Sequence, residues 1–378
     1  MKDFLLLLQL EMENKALKIL FIPNWKVAHL KKDDTALQAP DKYVTGMPYW
    51  FFKHFKGQPT VDVLDIGQEN WWRKVEHKIK FYIYQPIKAF LRRNNYDVVM
   101  SHGAQSGLVY ELLASFARKR PLHVMFDIGG LNGARINKYE TPLIKFALRK
   151  SPIIIVHASR QLEFYKEYYP TLYEKAHFVP FGTDFEYFNA QCTMPNARLT
   201  RECCEKLLLS VGYAKRDYHT LCEAWKRSDV GNYKLKIVGN DSLSMQYKDC
   251  PSIEFSSRIP IADLMTLTSC AAAVVVPLPE YCYSYGQMTI LQSMAMGKPM
   301  IVTRTTSTCD YIDDASGVIT VEPEDINAMS QAIEKMCSLS ADGLKQMGES
   351  NQVHVKSHFN EKQMAEKIED IITKYIHK

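Results

Sequence analysis

Two adjacent cations, Lys215 and Arg216, lie where a parallel sheet binds ligands. They follow the apolar run Leu207–Val211 and Gly212, and such a run is typical of a buried parallel strand. Open α/β sheets bind ligands in the crevice beyond the carboxyl ends of their strands. Cations at this point would attract an anion. The alternative interpretation of the pair is an ordinary solvent-exposed turn.

A second candidate site is the stretch 270–303, which has the pattern of a strand, a loop, a helix and a strand. Residues 271–277 are apolar, and the apolar residues of 288–295 recur at helical spacing. Gly297 and Pro299 are suited to ending that helix. Ser284 and Gln287 have the spacing of a capping box, which predicts a helix start near Tyr285.

The N-terminus of that helix is a candidate anion site. Its first amides have no intrahelical partner and carry the positive end of the helix dipole, so they can hold a phosphate. Ser284 can be a structural N-cap at the same time, because a cap uses only some of the free donors. The candidate ligands are Ser284, Gly286, Gln287, Met288 and Thr289.

The end of this stretch resembles a known signature. Residues 292–299, Gln-Ser-Met-Ala-Met-Gly-Lys-Pro, match the second half of the nucleotide-binding signature of family 4 glycosyltransferases, which are retaining enzymes of the GT-B fold. Gln292 takes the place of the second Glu of that signature, and Ser284 takes the place of the first. A Gln can still exchange hydrogen bonds with ribose hydroxyls. Glu280, four residues upstream of Ser284, is a candidate substitute for the first Glu.

The resemblance also implies roles for the basic loop. Residues 212–218 resemble the family's glycine and basic-residue loop, with Arg216 at the usual Lys position. A diphosphate gains negative charge as the glycosidic bond breaks, so cations there stabilise the transition state more than the ground state. The family implies a front-face reaction without a bound metal, in which the departing diphosphate helps to take the acceptor proton. Arg258 falls in the loop that lies against the nucleobase.

Three apolar runs in the first half of the chain end in polar residues. His102, Asp127 and His157 follow directly, with Ser159 nearby. Parallel strands would bring these residues to one edge of a sheet. His102 and Asp127 are our acceptor-side candidates, because the family places the acceptor in this domain. For any one of them, capping of the next helix is the alternative.

Composition limits the class of protein. The 378 residues suit two ordinary α/β domains, and the net charge of +5 does not by itself indicate nucleic-acid binding. Nine scattered cysteines without a CxxC pair fit neither a zinc site nor a disulfide framework. We therefore expect a reduced, cytoplasmic compartment. The apolar run near residue 4 is too short to span a bilayer.

Residues 71–93 have two interpretations. Trp72, Val75 and the isoleucines at 79 and 83 share one helical face, whereas several Lys and Arg residues lie elsewhere, and Pro86 should kink or break the helix. The segment is either an interfacial helix at the inner face of a membrane or a packed helix with a solvated basic face.

The expected fold is α/β of the GT-B type, with two doubly wound Rossmann-like domains and an interdomain cleft. We expect an acceptor-side domain over 1–195, a nucleotide-sugar domain over 200–355, and a helix over 356–378 that returns to the first domain. The expected function is retaining, metal-independent hexosyl transfer from a UDP-type or GDP-type sugar to a glycan or lipid-linked acceptor of the cell envelope. The alternatives are an inactive nucleotide-sugar-binding partner and a GT-B nucleotide-sugar 2-epimerase.

Overall fold

The computed structural model describes residues 16–34, 37–67, 71–79, 82–129, 131, 140–150, 152–191, 206–239 and 241–376. The chain forms two compact units. The first consists of Met1–Val179 with Met364–Lys378, and the second is Pro180–Gln363. The boundary predicted between residues 195 and 200 lies outside the described residues. Across the described residues, no helix combines the length and the apolar character needed to cross a membrane.

The first unit is built on a six-stranded parallel sheet in the order β4-β1-β5-β6-β7-β8, and β2 and β3 pair separately. The strands are β1 Lys18–Pro23, β2 Ala28–Leu30, β3 Lys42–Val44, β4 Thr60–Val63, β5 Val98–His102, β6 Leu122–Phe126, β7 Ile153–Val156 and β8 Ala176–Phe178. Strands β5 and β7 are buried along their whole length, as continuous apolar runs require. The strand order reverses between β1 and β5. Pro23 and His102 are paired there at the carboxyl edge.

Helices connect these strands. They are α1 Trp71–Ile79, α2 Tyr84–Arg92, α3 Ala104–Ala114, α4 Glu140–Ala147, α5 Gln161–Tyr168 and α6 Pro170–Tyr173, with 3-10 turns at Ala39–Asp41, Trp50–His54 and Arg93–Asn95. The helix predicted over 71–93 is thus two helices. Pro86 does not interrupt either helix. It lies in the first turn of α2, where the backbone N–H is not needed as an intrahelical donor.

The burial of α1 contradicts the packed-helix interpretation, in which Trp72 would face the core and the basic residues would face solvent. Trp72 is 45% exposed, whereas Arg73 is buried beside Glu76, with 3.4 Å between Nη1 and Oε2. The other Glu76 oxygen accepts hydrogen bonds from the amides of Ile83 and Tyr84, both at 2.7 Å, and so caps α2. Burying a charge is tolerated here because the charge is paired.

The second unit contains another six-stranded parallel sheet, in the order β11-β10-β9-β12-β13-β14. The strands are β9 Leu207–Val211, β10 Lys234–Val238, β11 Ile253–Ser256, β12 Ala273–Val276, β13 Met300–Thr303 and β14 Val318–Val321. This is the Rossmann order, which reverses between β9 and β12. The crevice at that reversal is where such a sheet binds ligands.

The second unit also contains most of the remaining helices. They are α7 Phe185–Gln191, α8 Tyr218–Arg227, α9 Ile261–Cys270, α10 Gln287–Ala295, α11 Cys309–Ile312, α12 Ile326–Ser338 and α13 Ala341–His358. Gly297 follows α10 with a left-handed φ of 67°, as its position in the sequence predicts. The chain ends in α14, Glu361–Ile376.

From Met364 onward, α14 belongs to the first unit. Its Glu369 carboxylate accepts the amides of Lys56 and Gly57, both at 2.8 Å. Near its end, the Tyr375 hydroxyl lies 3.3 Å from His177 Nε2. These contacts fix the last turns of the helix to the sheet that carries His102.

Candidate active site

At the reversal point of the second sheet, Arg216 bonds both the end of β9 and the first turn of α10. Its Nε donates to the carbonyl of Val211, at the end of β9, over 3.1 Å. Its Nη2 donates over 3.1 Å to the Thr289 hydroxyl, in the first turn of α10. Burial lowers the pKa of the guanidinium, but an arginine remains charged under physiological conditions. A fixed cation therefore lies beside the start of α10.

Gly212 makes room for that cation. A Cβ at this position would overlap the Arg216 guanidinium. The Gly212 carbonyl accepts the buried Tyr218 hydroxyl at 2.8 Å, and the amide of Asp217 donates to the carbonyl of Pro277 at 3.0 Å. These bonds hold the loop after β9 against the end of β12, so the direction of Arg216 is set by the backbone.

The start of α10 differs from the predicted capping box. The helix begins at Gln287, its N-cap is Gly286 with φ 87°, and no side chain caps it. Ser284 is therefore not the N-cap, and the start near Tyr285 was wrong. The Gln287 side chain is buried and donates to the carbonyl of Ser307 over 2.7 Å. The left-handed turn at Gly286 sets the helix start, and a Cβ there would lie 2.8 Å from Leu278 Cδ1.

The resulting geometry suits a diphosphate. The amides of Gln287, Met288 and Thr289 form the first turn of a nine-residue helix, where N–H groups have no intrahelical partner. The dipole of that helix and the Arg216 guanidinium both favour an anion at this point. The structure thus brings together Arg216, Gly212 and the three predicted amides.

Lys215 is the second cation of the loop and has a left-handed φ of 56°. Its Nζ lies 4.1 Å from the centroid of the Tyr283 ring and 5.6 Å from that of Tyr281. Burial lowers the pKa of this amine. The tyrosines hold the ammonium by cation–π contact. Sequence reasoning missed these two residues, although the alternation of tyrosines at 281, 283 and 285 was visible.

The signature residues in α10 and directly after it have two kinds of environment. Gln292 is half-buried and lies one turn after Thr289 and Met288, so it shares their face of the helix. Lys298 instead donates to the carbonyls of Ser269 and Ala271 at 2.6 and 3.0 Å. These contacts tie Lys298 to the C-terminal end of α9. The lysine of the signature is therefore structural.

Glu280 contacts the loop after β13. Its two carboxylate oxygens accept the amide of Thr306 at 3.0 and 3.2 Å. Because this contact orients the side chain, Glu280 helps to hold the loop. Its role at a donor sugar stays a prediction.

Arg258 follows β11, and its Cζ lies 5.0 Å from the centroid of the Tyr213 ring. Both side chains are exposed. A planar guanidinium and a phenol ring so arranged offer stacking surfaces to a base, which fits the position predicted for Arg258.

In the first unit, His102 lies at the carboxyl edge of β5 among aromatic rings. It stacks on Phe126 at 5.4 Å and meets Trp25 edge to face at 4.7 Å between ring centroids. Burial lowers its pKa to about 3, with a further contribution from His157. Its Nδ1 is buried without a hydrogen-bond partner. The ring is thus neutral, and the next residue, Gly103, lines a cavity of about 180 Å³ together with Asn24 and Gly129 among others.

The contacts of Asp127 assign it to a structural role. The carboxylate is fully buried and accepts the Tyr165 hydroxyl at 2.7 Å, Gln161 Nε2 at 3.0 Å and the amide of Gly129 at 3.0 Å. These donors surround both oxygens. Asp127 therefore holds the loop after β6, and its direct contact with an acceptor is not supported by this geometry.

The buried histidines predict acid sensitivity. Burial also lowers the pKa of His157 to about 4, while its Nδ1 pairs with the carbonyl of Val179. Both rings have folded pKa values below the unfolded value, so their contribution to stability is complete above about 6.5 and is lost as the pH falls. We expect the free energy of unfolding to drop by about 4 kcal/mol, roughly 2 per ring, between about pH 7 and about pH 5. Urea unfolding measures this, and His157→Asn should remove half of the pH dependence. An unchanged slope in the variant would contradict the assignment.

Comparison with known proteins agrees with this geometry. The fold is that of GT-B glycosyltransferases, as the solved structures below establish. Residues 205–338 match the family model described as glycosyl transferases group 1. The resemblance found in the signature is therefore confirmed, because this part of the chain is similar to group 1 glycosyltransferases. No curated protein matches the chain in sequence.

Several solved structures share the fold over nearly the whole chain. Sucrose-phosphate synthase of Thermosynechococcus elongatus superposes with a TM-score of 0.65 at 17% identity, covering 96% of this chain and 99% of that one. HepE of Anabaena, solved with UDP-glucose, gives 0.67 at 13% identity over 95% and 100%. WaaG, a glycosyltransferase of lipopolysaccharide biosynthesis, gives 0.58 at 14% identity over 94% and 99%. At these identities the likeness concerns the fold.

Proposed function

We propose that this protein is a retaining, metal-independent glycosyltransferase that moves a sugar from a nucleoside-diphosphate sugar to an acceptor hydroxyl. The observation that carries the proposal is the 3.1 Å bond between Arg216 Nη2 and the Thr289 hydroxyl. It places a half-buried cation beside the first turn of a helix at the reversal point of a Rossmann-type sheet. A diphosphate is the anion that such a site suits best.

The chemistry follows from where charge develops. As the bond between the sugar and the diphosphate breaks, the leaving group gains negative charge, which Arg216, Lys215 and the amides of α10 stabilise. A departing phosphate oxygen takes the proton of the acceptor hydroxyl. His102 is neutral at physiological pH, so it serves as a hydrogen-bond partner of the acceptor and not as a charged acid. Gln292 bonds the ribose hydroxyls, and Arg258 lies at the base.

The donor is of the UDP or GDP type, and the structure solved for Anabaena HepE with UDP-glucose favours uridine. The acceptor is a cell-envelope glycan or glycolipid intermediate on a lipid carrier. The name of WaaG, which refers to lipopolysaccharide biosynthesis, supports that setting. The protein then works in the cytoplasm at the inner face of the membrane.

One observation favours a different class of function. Ser284 and Gln292 stand where the signature has two Glu residues, and the Glu280 carboxylate is engaged by the amide of Thr306. The chain would then be an inactive partner that binds a nucleotide sugar. The residues that would bind the diphosphate are consistent with this alternative too, because binding without catalysis also requires them.

A donor screen separates the two functions. Uridine, guanosine and adenosine diphosphate sugars are tested for thermal stabilisation and for release of the free diphosphate, first alone and then with membrane extract. We expect one donor to stabilise the protein and to be slowly hydrolysed. Stabilisation without turnover, even with extract, would support the binding partner, and no response to any donor would contradict both.

A further inference from the structure

A basic and apolar surface on the first unit is unrelated to the candidate active site. Four large apolar side chains protrude from it, with exposed fractions of 71% for Leu91, 72% for Phe116, 68% for Leu143 and 49% for Phe146. Exposed apolar residues are ordinary when they are scattered singly, but a contiguous group marks an interaction site. We define the docking face as residues 87–93, 116–120 and 143–150.

Contacts between these three segments make the face contiguous. The Phe116 and Phe146 rings lie 6.5 Å apart between centroids. The Arg149 guanidinium covers both rings, at 4.7 Å and 4.1 Å from their centroids. Arg93 Nε donates to the carbonyl of Lys119 over 3.3 Å, which joins the end of α2 to the segment after α3.

The charge of the docking face is of one sign. Its three segments contain nine Lys and Arg residues and no Asp or Glu, whereas the whole chain has a net charge of only +5. The rest of the chain is therefore net negative. The nine cations are Lys88, Arg92, Arg93, Arg118, Lys119, Arg120, Lys145, Arg149 and Lys150. Cations near helix C-termini complement the helix dipole, but this does not account for the protruding Leu and Phe side chains.

A cleft beside the face offers a place for phosphate. It has a volume of about 620 Å³, and Lys119, Arg120, Lys150 and Lys175 line it together with Asp97, whose carboxylate accepts the amide of Lys18 at 2.9 Å. Arg120 Nη2 is paired with the buried Glu111 at 3.0 Å, while its Nη1 is buried without a partner. The cleft lies at the amino-terminal ends of β5 and β6, at the opposite edge of the sheet from His102.

We propose that the docking face binds an anionic lipid surface, with Leu and Phe side chains inserted among the acyl chains and lipid phosphates on the cations. Protruding apolar side chains ringed by Lys and Arg are the pattern of interfacial membrane binding. A second copy of the chain is disfavoured, because it would oppose the same nine cations. The proposal rests on the proposed function for its setting, and it names the surface that attaches the enzyme to the membrane.

Vesicle co-sedimentation tests the proposal without any turnover. The full chain is mixed with vesicles of phosphatidylcholine alone or with added phosphatidylglycerol, at low and high salt. We expect binding only to the anionic vesicles and a loss of binding in salt. F116S/F146S should lower partitioning about fivefold or more, and R118E/K119E about tenfold or more.

Matched controls lie in the second unit. Met245 and Val353 are 75% and 66% exposed, so M245S/V353S removes as much exposed apolar surface at another place. K248E/K362E makes the matched charge change. All variants should keep the melting temperature and the nucleotide affinity of the wild type, and both controls should keep vesicle binding.

Three results would overturn the proposal. The first is that the wild-type protein stays in solution with anionic vesicles. The second is that the variants of the docking face bind vesicles as well as the control variants do. The third is that the wild-type protein forms a dimer and F116S/F146S dissociates it. None of these results touches nucleotide binding, so failure here is distinct from failure of the proposed function.

Discussion

Replacing Arg216 with alanine is expected to lower kcat/KM for the nucleotide-sugar donor by about 100-fold or more, with loss of nucleoside-diphosphate affinity. The guanidinium is directed at the first turn of α10 by its hydrogen bonds to Val211 and Thr289. Donor kinetics and calorimetric titration of the nucleoside diphosphate measure the two effects.

Two variants sharpen that test. Arg227→Ala removes an exposed arginine at the end of α8 and should leave kinetics unchanged. Arg216→Lys should recover part of the activity, because it restores the charge without the fork that bonds Thr289. If Arg216→Ala bound the diphosphate as tightly as Arg227→Ala, the site would be misassigned.

Replacing Asp127 with alanine is expected to lower the free energy of unfolding by about 3 kcal/mol or more, because buried donors lose their acceptor. The Tyr165 hydroxyl and the amide of Gly129 would lose this acceptor, whereas Gln161 Nε2 would keep its bond to the backbone carbonyl of residue 127 at 3.1 Å. Asp127→Asn keeps one carbonyl oxygen and should cost less. Urea unfolding at neutral pH gives both values.

The same variant tests the earlier prediction that Asp127 contacts the acceptor. If Asp127→Ala changed stability by less than about 1 kcal/mol yet lost activity, the carboxylate would belong to the reaction rather than to the fold. We expect Asp127→Ala to lower the stability strongly and to affect activity only through that loss of stability.

Most of the sheet framework could be predicted from the sequence because buried parallel strands leave an unambiguous pattern. The apolar runs before Asp127 and His157 and the run Leu207–Val211 are strands β6, β7 and β9 in the structure. Helix α13 was not predicted, and the reason is physical. The three positions that it buries are Gly348, Asn351 and Val355, of which only one is a large apolar residue.

Those positions depend on neighbours that sequence periodicity does not reveal. Gly348 lies against the carbonyl of Gly297 so closely that a Cβ would overlap it. Asn351 Nδ2 donates to the carbonyls of Lys298 and Gly317 at 2.8 and 3.0 Å. Helix α13 is therefore held by close backbone approach and amide hydrogen bonds more than by an apolar stripe.

The elements that form the candidate anion site could be predicted because each is local in sequence. The basic loop follows one strand directly, and the helix follows another after a short loop. What could not be predicted depends on distant partners: Ser307 for Gln287, Thr306 for Glu280, and Tyr165 for Asp127. The burial of Arg73 in place of Trp72 has a different cause, because the arginine pairs with Glu76 one helical turn away.

Hydrogen–deuterium exchange with and without a nucleoside diphosphate tests the central claim most directly. First-turn amides exchange readily in a free helix, so a bound diphosphate should slow them. We predict protection at 212–216 and 286–290 in the wild type and its loss in Arg216→Ala. Protection confined to other segments, or protection that survives in Arg216→Ala, would contradict the assignment of this site to the diphosphate.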